Sequence, residues 1–162
     1  MNHAYLFAFE SDFVATLRCV PMAVRLKLDR AEIKLSLRQW SRFTRDDRQR
    51  LLEAPCRTPE EIEAYRAELV DLIASRACEA ARPLADPPAP LWEQAAGPPA
   101  VVTRFARSLG VAPPTDTQWR GLAELERFVL LKLTRDSHDN VNFLPAMREF
   151  GLLADRSAQA AA

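Results

Sequence analysis

The segment that begins at Thr58 shows the clearest helical periodicity in the chain. Its apolar side chains recur every three or four residues, at Ile62, Tyr65, Leu69, Leu72 and Ile73. This spacing places them on one face of a helix. Thr58 can cap the N-terminus, Pro59 suits the first helical position, and Glu61 completes a capping box. The pattern predicts a long central helix over about residues 59–80.

The stretch VRLKLDRAEIKLSL, residues 24–37, carries two contradictory signals. Its apolar residues alternate with polar ones, which is typical of a β-hairpin. A related stretch at 101–110, VVTRFARSLG, has its apolar residues at helical spacing and ends in a glycine suited to a helix C-terminus. We therefore expect helices over 21–31 and 100–109, each followed by an extended connector. The connector at 33–35 can also pair as a short strand.

An internal duplication relates these two stretches. QWSRFTRDDRQRLL at residues 39–52 matches QWRGLAELERFVLL at 118–131, and the offset of 79 residues holds back to an arginine before each tryptophan. The identical pairs are Arg25/Arg104, Gln39/Gln118, Trp40/Trp119, Arg48/Arg127, Leu51/Leu130 and Leu52/Leu131. Such self-similarity predicts two helical repeat units, at about 21–53 and 100–133.

The predicted organisation is an all-α fold with the two repeat units packed around one core. Six of the twelve prolines fall in residues 82–99, which we interpret as a linker between the repeats. A single helical domain, 1–153, would thus consist of repeats at 1–81 and 100–153. The Ala-rich tail, 154–162, is expected to fray.

Each Gln-Trp lies where a connector enters a helix, and this position predicts a structural role. Trp40 and Trp119 can fill the gap between helices while each indole N–H donates to a backbone carbonyl. We assign structural roles to Tyr65 and Arg127 as well.

Charge is balanced overall but unevenly distributed. The net charge is zero, yet residues 18–50 hold ten Lys/Arg and four Asp/Glu, whereas residues 53–93 hold four and nine. The split could steer a partner, or the two segments could be solvated faces or pack together. Within the basic segment, Arg38, Arg42 and Arg45 are candidates for partner binding. A helix-turn-helix interpretation is disfavoured because Asp46 and Asp47 interrupt the arginines, so nucleic acid is an unlikely partner.

Cysteine content and hydropathy set the expected compartment. Three cysteines without C-x-x-C spacing indicate neither a disulfide framework nor a zinc ribbon, and they suit a reducing cytoplasm. No apolar run approaches the roughly 20 residues of a membrane span, and the N-terminus does not resemble a secretory signal. We expect a cytoplasmic protein without a bound metal or cofactor.

The chain carries none of the common catalytic signatures, which favours a non-enzymatic protein. Its densest polar cluster contains Arg135, His138, Asn140 and Asn142, which could grip an anion or a partner backbone, or could simply cap helix ends. Cys19 and Cys56 each stand near a proline and an arginine. An arginine can activate a thiol, whereas a buried cysteine is an inert hydrophobe. A ligand-binding site or enzyme built on this cluster and a reactive cysteine is the alternative hypothesis.

The sequence resembles a bacterial family known as nitrate reductase-associated proteins. The resemblance lies in FESDFVATLRCVPMAVRLKLD (9–29), IKLSLRQW (33–40), LEAPCRTPEEIEAYRAEL (52–69), QWRGLAELERFVLLKLTRDSHDNVNF (118–143) and AMREFGL (146–152). Two positions depart from the family pattern. Glu32 stands where a glycine is expected, and LAEL (122–125) replaces a Thr- or Pro-initiated helix start.

The resemblance implies an accessory protein for production or activity of a molybdenum-cofactor nitrate reductase, bound to that enzyme or to its maturation machinery. It implies no active site. The family residues that carry over are Arg18, Cys19, Pro21, Arg25, Trp40, Cys56, Tyr65, Trp119, Arg127, Arg135, His138, Asn140 and Asn142. Among these we take Arg18, Cys19, Arg25, Cys56, Arg135, His138, Asn140 and Asn142 as partner-binding candidates.

Overall fold

The computed structural model describes residues 6–10, 16–87, 89–135 and 138–153, and it is mostly helical, as predicted. The chain divides into two compact units, unit 1 over 1–88 and unit 2 over 89–162. The predicted tail, 154–162, lies outside the described residues.

The described residues of unit 1 form a group of helices and one short strand pair. Its α-helices are α1 (Met22–Ala31), α2 (Leu37–Arg42), α3 (Arg45–Glu53) and α4 (Pro59–Leu72). A 3-10 turn, Ala8–Glu10, precedes them, and a π-helical turn, Ile73–Ala77, extends α4. Strand β1 (Ile33–Lys34) pairs antiparallel with β2 (Arg82–Pro83), so the connector does form a short strand. Helices α1, α3 and α4 pack on one another, and α2 packs on the π-helical turn.

The first part of the ambiguous alternating segment is helical and lies in α1. Seven of its ten residues are buried: Met22, Ala23, Val24, Leu26, Lys27, Leu28 and Ala31. A helix that is covered on most sides needs apolar residues around most of its circumference. The alternation of apolar and polar residues therefore does not indicate a strand in α1.

Helix α4 begins as predicted. The Thr58 hydroxyl accepts a hydrogen bond from Glu61 N–H while the Glu61 carboxylate accepts from Thr58 N–H, and Pro59 occupies the first position. Tyr65, Leu69 and Leu72 face the core. The helical run ends at Ala77, three residues before the predicted limit, because Cys78 adopts a left-handed conformation with φ 56°.

Unit 2 is arranged around one central helix. It contains a 3-10 turn at Leu91–Glu93, then α5 (Ala100–Ser108), α6 (Asp116–Gly121), α7 (Glu124–Leu133), a 3-10 helix at His138–Asn142 and α8 (Phe143–Glu149). Helix α7 contacts both 3-10 elements, α5 and α8. Its side chains Phe128, Val129, Leu130 and Leu133 are buried, as its apolar sequence predicts. Gly110 and Gly151 end α5 and α8 with φ of 73° and 71°.

The Pro-rich segment 82–99 carries ordered structure on both sides of the unit boundary. Arg82–Pro83 forms β2 of unit 1, and Leu91–Glu93 forms the 3-10 turn of unit 2. Trp92 within that turn is buried and makes an edge-to-face contact with Phe128, with ring centroids 5.1 Å apart.

The two departures from the family pattern have local structural consequences. Glu32, which replaces the expected glycine, terminates α1 in the left-handed conformation with φ 54°. Ala123 stands at the N-cap of α7 and has no side-chain oxygen, so only the Glu126 half of a capping box forms, through Ala123 N–H at 2.8 Å. Both helices therefore form with a suboptimal residue at one end.

Glu32→Gly is expected to stabilise the protein by about 0.5–1 kcal/mol, since the left-handed conformation is strained for a residue with a Cβ. Glu32 is exposed, so little packing is lost. Urea denaturation of the variant and the wild-type protein measures the change. Gly110→Ala is the matched opposite: its φ is 73°, an added Cβ meets nothing within 4 Å, and stability should fall. A destabilised Glu32→Gly protein would contradict the assignment of strain to this position.

Candidate functional site

Positively charged side chains cap the C-terminal ends of helices α1, α2 and α3. The Lys27 ammonium donates to the carbonyls of Leu52 and Ala54, both at 2.6 Å, and of Leu51 at 3.4 Å, all at the end of α3. Burial lowers the pKa of Lys27 to about 8. These helix-end carbonyls have no partner within α3, so a buried cation is stabilised there.

Two arginines have the same role at the other helix ends of unit 1. Arg66 donates through Nε to the carbonyl of Ala31, the last residue of α1, at 3.0 Å. Arg48 donates to the Trp40 carbonyl through Nε and to the Ser41 carbonyl through Nη2, both 3.1 Å long, at the end of α2. Much of the basic charge in this unit is therefore bound to its own backbone.

Trp40 and Arg48 together hold the segment that leads into α1. The Trp40 indole N–H donates to the Leu17 carbonyl at 2.8 Å, and Arg48 Nη1 donates to the same oxygen at 3.2 Å. Trp40 is fully buried, and the guanidinium lies 5.7 Å from the centre of its ring. We call this arrangement the Trp–Arg clamp. The predicted bond from the indole to a backbone carbonyl is confirmed.

Trp119 and Arg127 make comparable contacts in unit 2. The Trp119 indole donates to the Gln94 carbonyl at 2.8 Å, and Arg127 donates to the carbonyls of Trp92 at 2.8 Å and Leu122 at 2.6 Å. The Trp–Arg pair thus holds the chain segment that precedes α1 in unit 1 and the segment that precedes α5 in unit 2. In each unit the arginine also donates at the end of a short helix. The duplication itself stays a prediction.

Three arginines near α2 remain on the surface, and we call Arg38, Arg42 and Arg45 the arginine face. All three are exposed. Arg38 approaches Glu79 at 3.9 Å with 76% of its side chain exposed, which makes a weak pair. Within the described part of the chain, neither Arg42 nor Arg45 forms an ion pair. Their charges are therefore available to an external group.

Hydrogen bonds on the inner side fix the helices that carry the arginine face. Ser36 and Gln39 form a capping box at α2, and Gln39 Nε2 donates to Glu79 at 2.8 Å. Thr44 and Asp47 form a second capping box, at α3.

The Asp47 carboxylate links α3 to the π-helical turn. It is 1% exposed and accepts from Arg76 Nε at 2.9 Å and from Arg50 Nη2 at 3.1 Å. Burial alone would raise its pKa, but the hydrogen bonds from Arg76 and Thr44 outweigh burial and lower the pKa to about 2. Asp47 therefore stays charged at neutral pH.

The other candidates of unit 1 occupy different environments. Arg18 is exposed and Cys19 is half-buried, whereas Arg25 donates through Nε to the Val20 carbonyl at 3.1 Å. Cys56 is 2% exposed, and burial raises the pKa of its thiol. The burial favours the inert-hydrophobe interpretation of Cys56.

The polar cluster of unit 2 adopts partly regular structure. Residues 138–142 form a 3-10 helix instead of an open loop. Arg135 is exposed, and Asn140 and Asn142 are half-buried. The side chain of His138 lies outside the described part of the structure, so its relation to the other three residues stays a prediction.

The sequence does not predict the burial of three charged residues, which are Glu10, Lys27 and Asp47. The Glu10 carboxylate accepts from Met22 N–H at 2.7 Å, at the start of α1, where Pro21 offers no side-chain cap. Each of these charges binds a group distant in sequence, so local spacing carries little signal.

Two general features concern only the described residues. They contain no cluster of three or more His, Cys, Asp or Glu side chains that could hold a metal ion. The helices they form are too short or too polar to cross a membrane.

The fold and surface define a small helical protein. Its candidate site is the exposed arginine face, which lies on helices that side chains hold through hydrogen bonds to backbone carbonyls. The chain belongs to the conserved nitrate reductase-associated protein family, whose model matches residues 6–150. Neither the comparison with curated proteins nor that with solved structures returned a match.

Asp47→Asn is expected to destabilise the protein by about 1–2 kcal/mol at pH 7, because Arg76 loses its charged partner. A folded-state pKa of about 2, below the ordinary 3.8, stabilises the fold above about pH 4, and this contribution is lost as pH falls towards 2. The difference between variant and wild type should therefore shrink over that range. Urea denaturation at pH 7, 4 and 2 measures it.

Asp46→Asn is the matched control for this measurement. Asp46 is exposed in the same helical turn and should contribute less than about 0.5 kcal/mol. A difference for Asp47→Asn that stays constant from pH 7 to pH 2 would contradict the role assigned to Asp47.

Thiol labelling should distinguish the cysteines by burial. Exposed Cys78 should react with a maleimide first, Cys19 more slowly, and buried Cys56 only on unfolding, because its thiol is both inaccessible and protonated. Mass spectrometry of digests taken over time, with a urea-unfolded control, gives the order. Rapid labelling of Cys56 in the folded protein would support the reactive-cysteine hypothesis instead.

Proposed function

We propose that this protein is a non-catalytic accessory protein of nitrate assimilation that binds a molybdenum-cofactor nitrate reductase, or its maturation machinery, through the arginine face. The family description associates its members with nitrate reductase. The accessory role and the molybdoenzyme partner go further than that description. They rest on the lack of a catalytic signature in the sequence and on the character of the exposed surface.

The observation that carries the proposal is the contrast between bound and unbound arginines. In unit 1, Arg25, Arg48 and Arg66 each donate to backbone carbonyls. Arg50 and Arg76 pair with Asp47. Arg42 and Arg45 have no such partner among the described residues, although they lie on helices with complete capping boxes.

The unpaired positive charges of Arg42 and Arg45, carried on ordered helices, favour electrostatic steering of an oppositely charged partner. Arg18 is also exposed in this unit and remains a secondary contact candidate. The buried environment of Cys56 offers less support for the alternative, a ligand site with a reactive thiol.

The test is capture of partners from the protein's own host growing on nitrate. The tagged wild-type protein should recover nitrate reductase or a protein that makes its cofactor, and an ammonium-grown culture should not yield it. Arg42→Glu combined with Arg45→Glu should reduce recovery by about tenfold or more, with strong dependence on salt, because steering charges are reversed.

A charge-matched control comes from unit 2. Arg104→Glu with Arg107→Glu changes the charge equally, at two exposed arginines on α5, and should leave recovery intact. Equal loss in both double variants would indicate a net-charge effect and contradict a specific arginine face. Absence of any nitrate-specific partner would contradict the accessory role.

A further inference from the structure

An exposed leucine lies on the same helix as two of the surface arginines. Leu37 is 58% exposed at the first position of α2. At about 100° per residue, Leu37, Arg38, Ser41 and Arg42 fall within an arc of about 140°. Gln39 and Trp40 occupy the opposite side and are buried. The outward side of α2 therefore carries an apolar side chain at one edge and two cations towards the other.

The charges on this side are close enough to act together. Arg38 and Arg42 are one helical turn apart, so their Cα atoms are separated by about 6 Å along the axis. Arg45 follows Arg42 by three residues, which limits the distance between their Cα atoms to about 10 Å. The Debye length at physiological salt is about 8 Å, comparable to these separations, so the potentials of neighbouring arginines add in part.

The helix that carries Leu37, Arg38 and Arg42 is also ordered in the unbound protein. Trp40 and Phe43 are buried beneath it with ring centroids 6.1 Å apart, and Gln39 binds Glu79 from the inner side. A binding surface that is already ordered loses less conformational entropy on association.

The chemistry of this surface favours a protein segment over a nucleic acid. Guanidinium groups pair with carboxylates through parallel hydrogen bonds, and an apolar side chain beside them gains from covering another apolar side chain. A sugar–phosphate backbone offers no apolar side chain to cover Leu37.

We infer that the arginine face binds an acidic segment of a protein partner, with at least two carboxylates facing the arginines and an apolar side chain packed on Leu37. This inference rests on the proposed function for the existence of a protein partner and adds the chemistry by which it is recognised. Leu37 supplies contact area, and the arginines supply orientation and the rate of encounter.

Photo-crosslinking in the host growing on nitrate tests the inference directly. Leu37 is replaced by p-benzoylphenylalanine in one strain, and Val70, which is 42% exposed on α4, is replaced in a control strain. The Leu37 position should crosslink to the captured partner in a peptide enriched in Asp and Glu. The adduct should disappear when Arg42→Glu and Arg45→Glu are added, and the Val70 position should give no such adduct.

A second variant removes the apolar contact without a crosslinker. Leu37→Ser should weaken partner capture about fivefold, since one partly exposed leucine contact is lost, and should do so equally at low and high salt. The charge reversals should act mainly at low salt.

The outcomes separate this inference from the proposed function. Recovery of nitrate reductase with no Leu37 adduct, an adduct peptide without excess carboxylates, or full capture by Leu37→Ser would overturn the inference and leave the accessory role standing. Crosslinks to DNA would overturn it in favour of nucleic acid. If wild-type protein captures no nitrate-specific partner, the accessory role fails and the inference falls with it.

Discussion

The carbonyl oxygen of Leu17 is the point on which the organisation of unit 1 depends. The Trp40 indole and the Arg48 guanidinium both donate to it, and Arg48 also holds the end of α2 through the Trp40 and Ser41 carbonyls. One cluster of hydrogen bonds thus fixes the segment entering α1, the short helix α2 and the start of α3. A six-residue helix such as α2 is not stable by itself in water, so these external bonds account for its presence.

Several arginine and lysine side chains of this protein bind its own backbone and are therefore not surface charges available to a partner. Lys27, Arg48 and Arg66 supply cations to the ends of three helices, where unpaired carbonyls and the helix dipole stabilise positive charge. A basic composition therefore does not itself mark a binding surface. The sequence already named Arg38, Arg42 and Arg45 as candidates, and the structure adds that they are exposed whereas Arg48 and Arg66 bind backbone carbonyls.

Local chemistry explains which features the sequence could predict. The capping boxes of α3 and α4, the ends at Gly110 and Gly151, and the indole-to-carbonyl bonds follow from residues a few positions apart or from the needs of a buried tryptophan. The roles of Lys27, Glu10 and Asp47 depend on groups 12 to 29 residues away. Spacing along the chain does not encode such contacts. At the candidate site, the repeat pattern already set Arg48 apart from Arg42 and Arg45, and the structure supplies the backbone contacts of Arg48 that account for the difference.

Hydrogen exchange of the Trp40 indole N–H, followed by NMR in deuterated water, tests the Trp–Arg clamp most directly. In the wild-type protein this proton is expected to exchange only with global unfolding. Arg48→Met should accelerate its exchange by at least about tenfold, since the loss of about 1.4 kcal/mol of local stability changes an opening equilibrium by that factor. Arg45→Met, at an exposed arginine without an ion-pair partner in the described chain, should not change the rate. Exchange of the Trp40 indole that is fast in the wild type, or unaffected by Arg48→Met, would contradict the clamp.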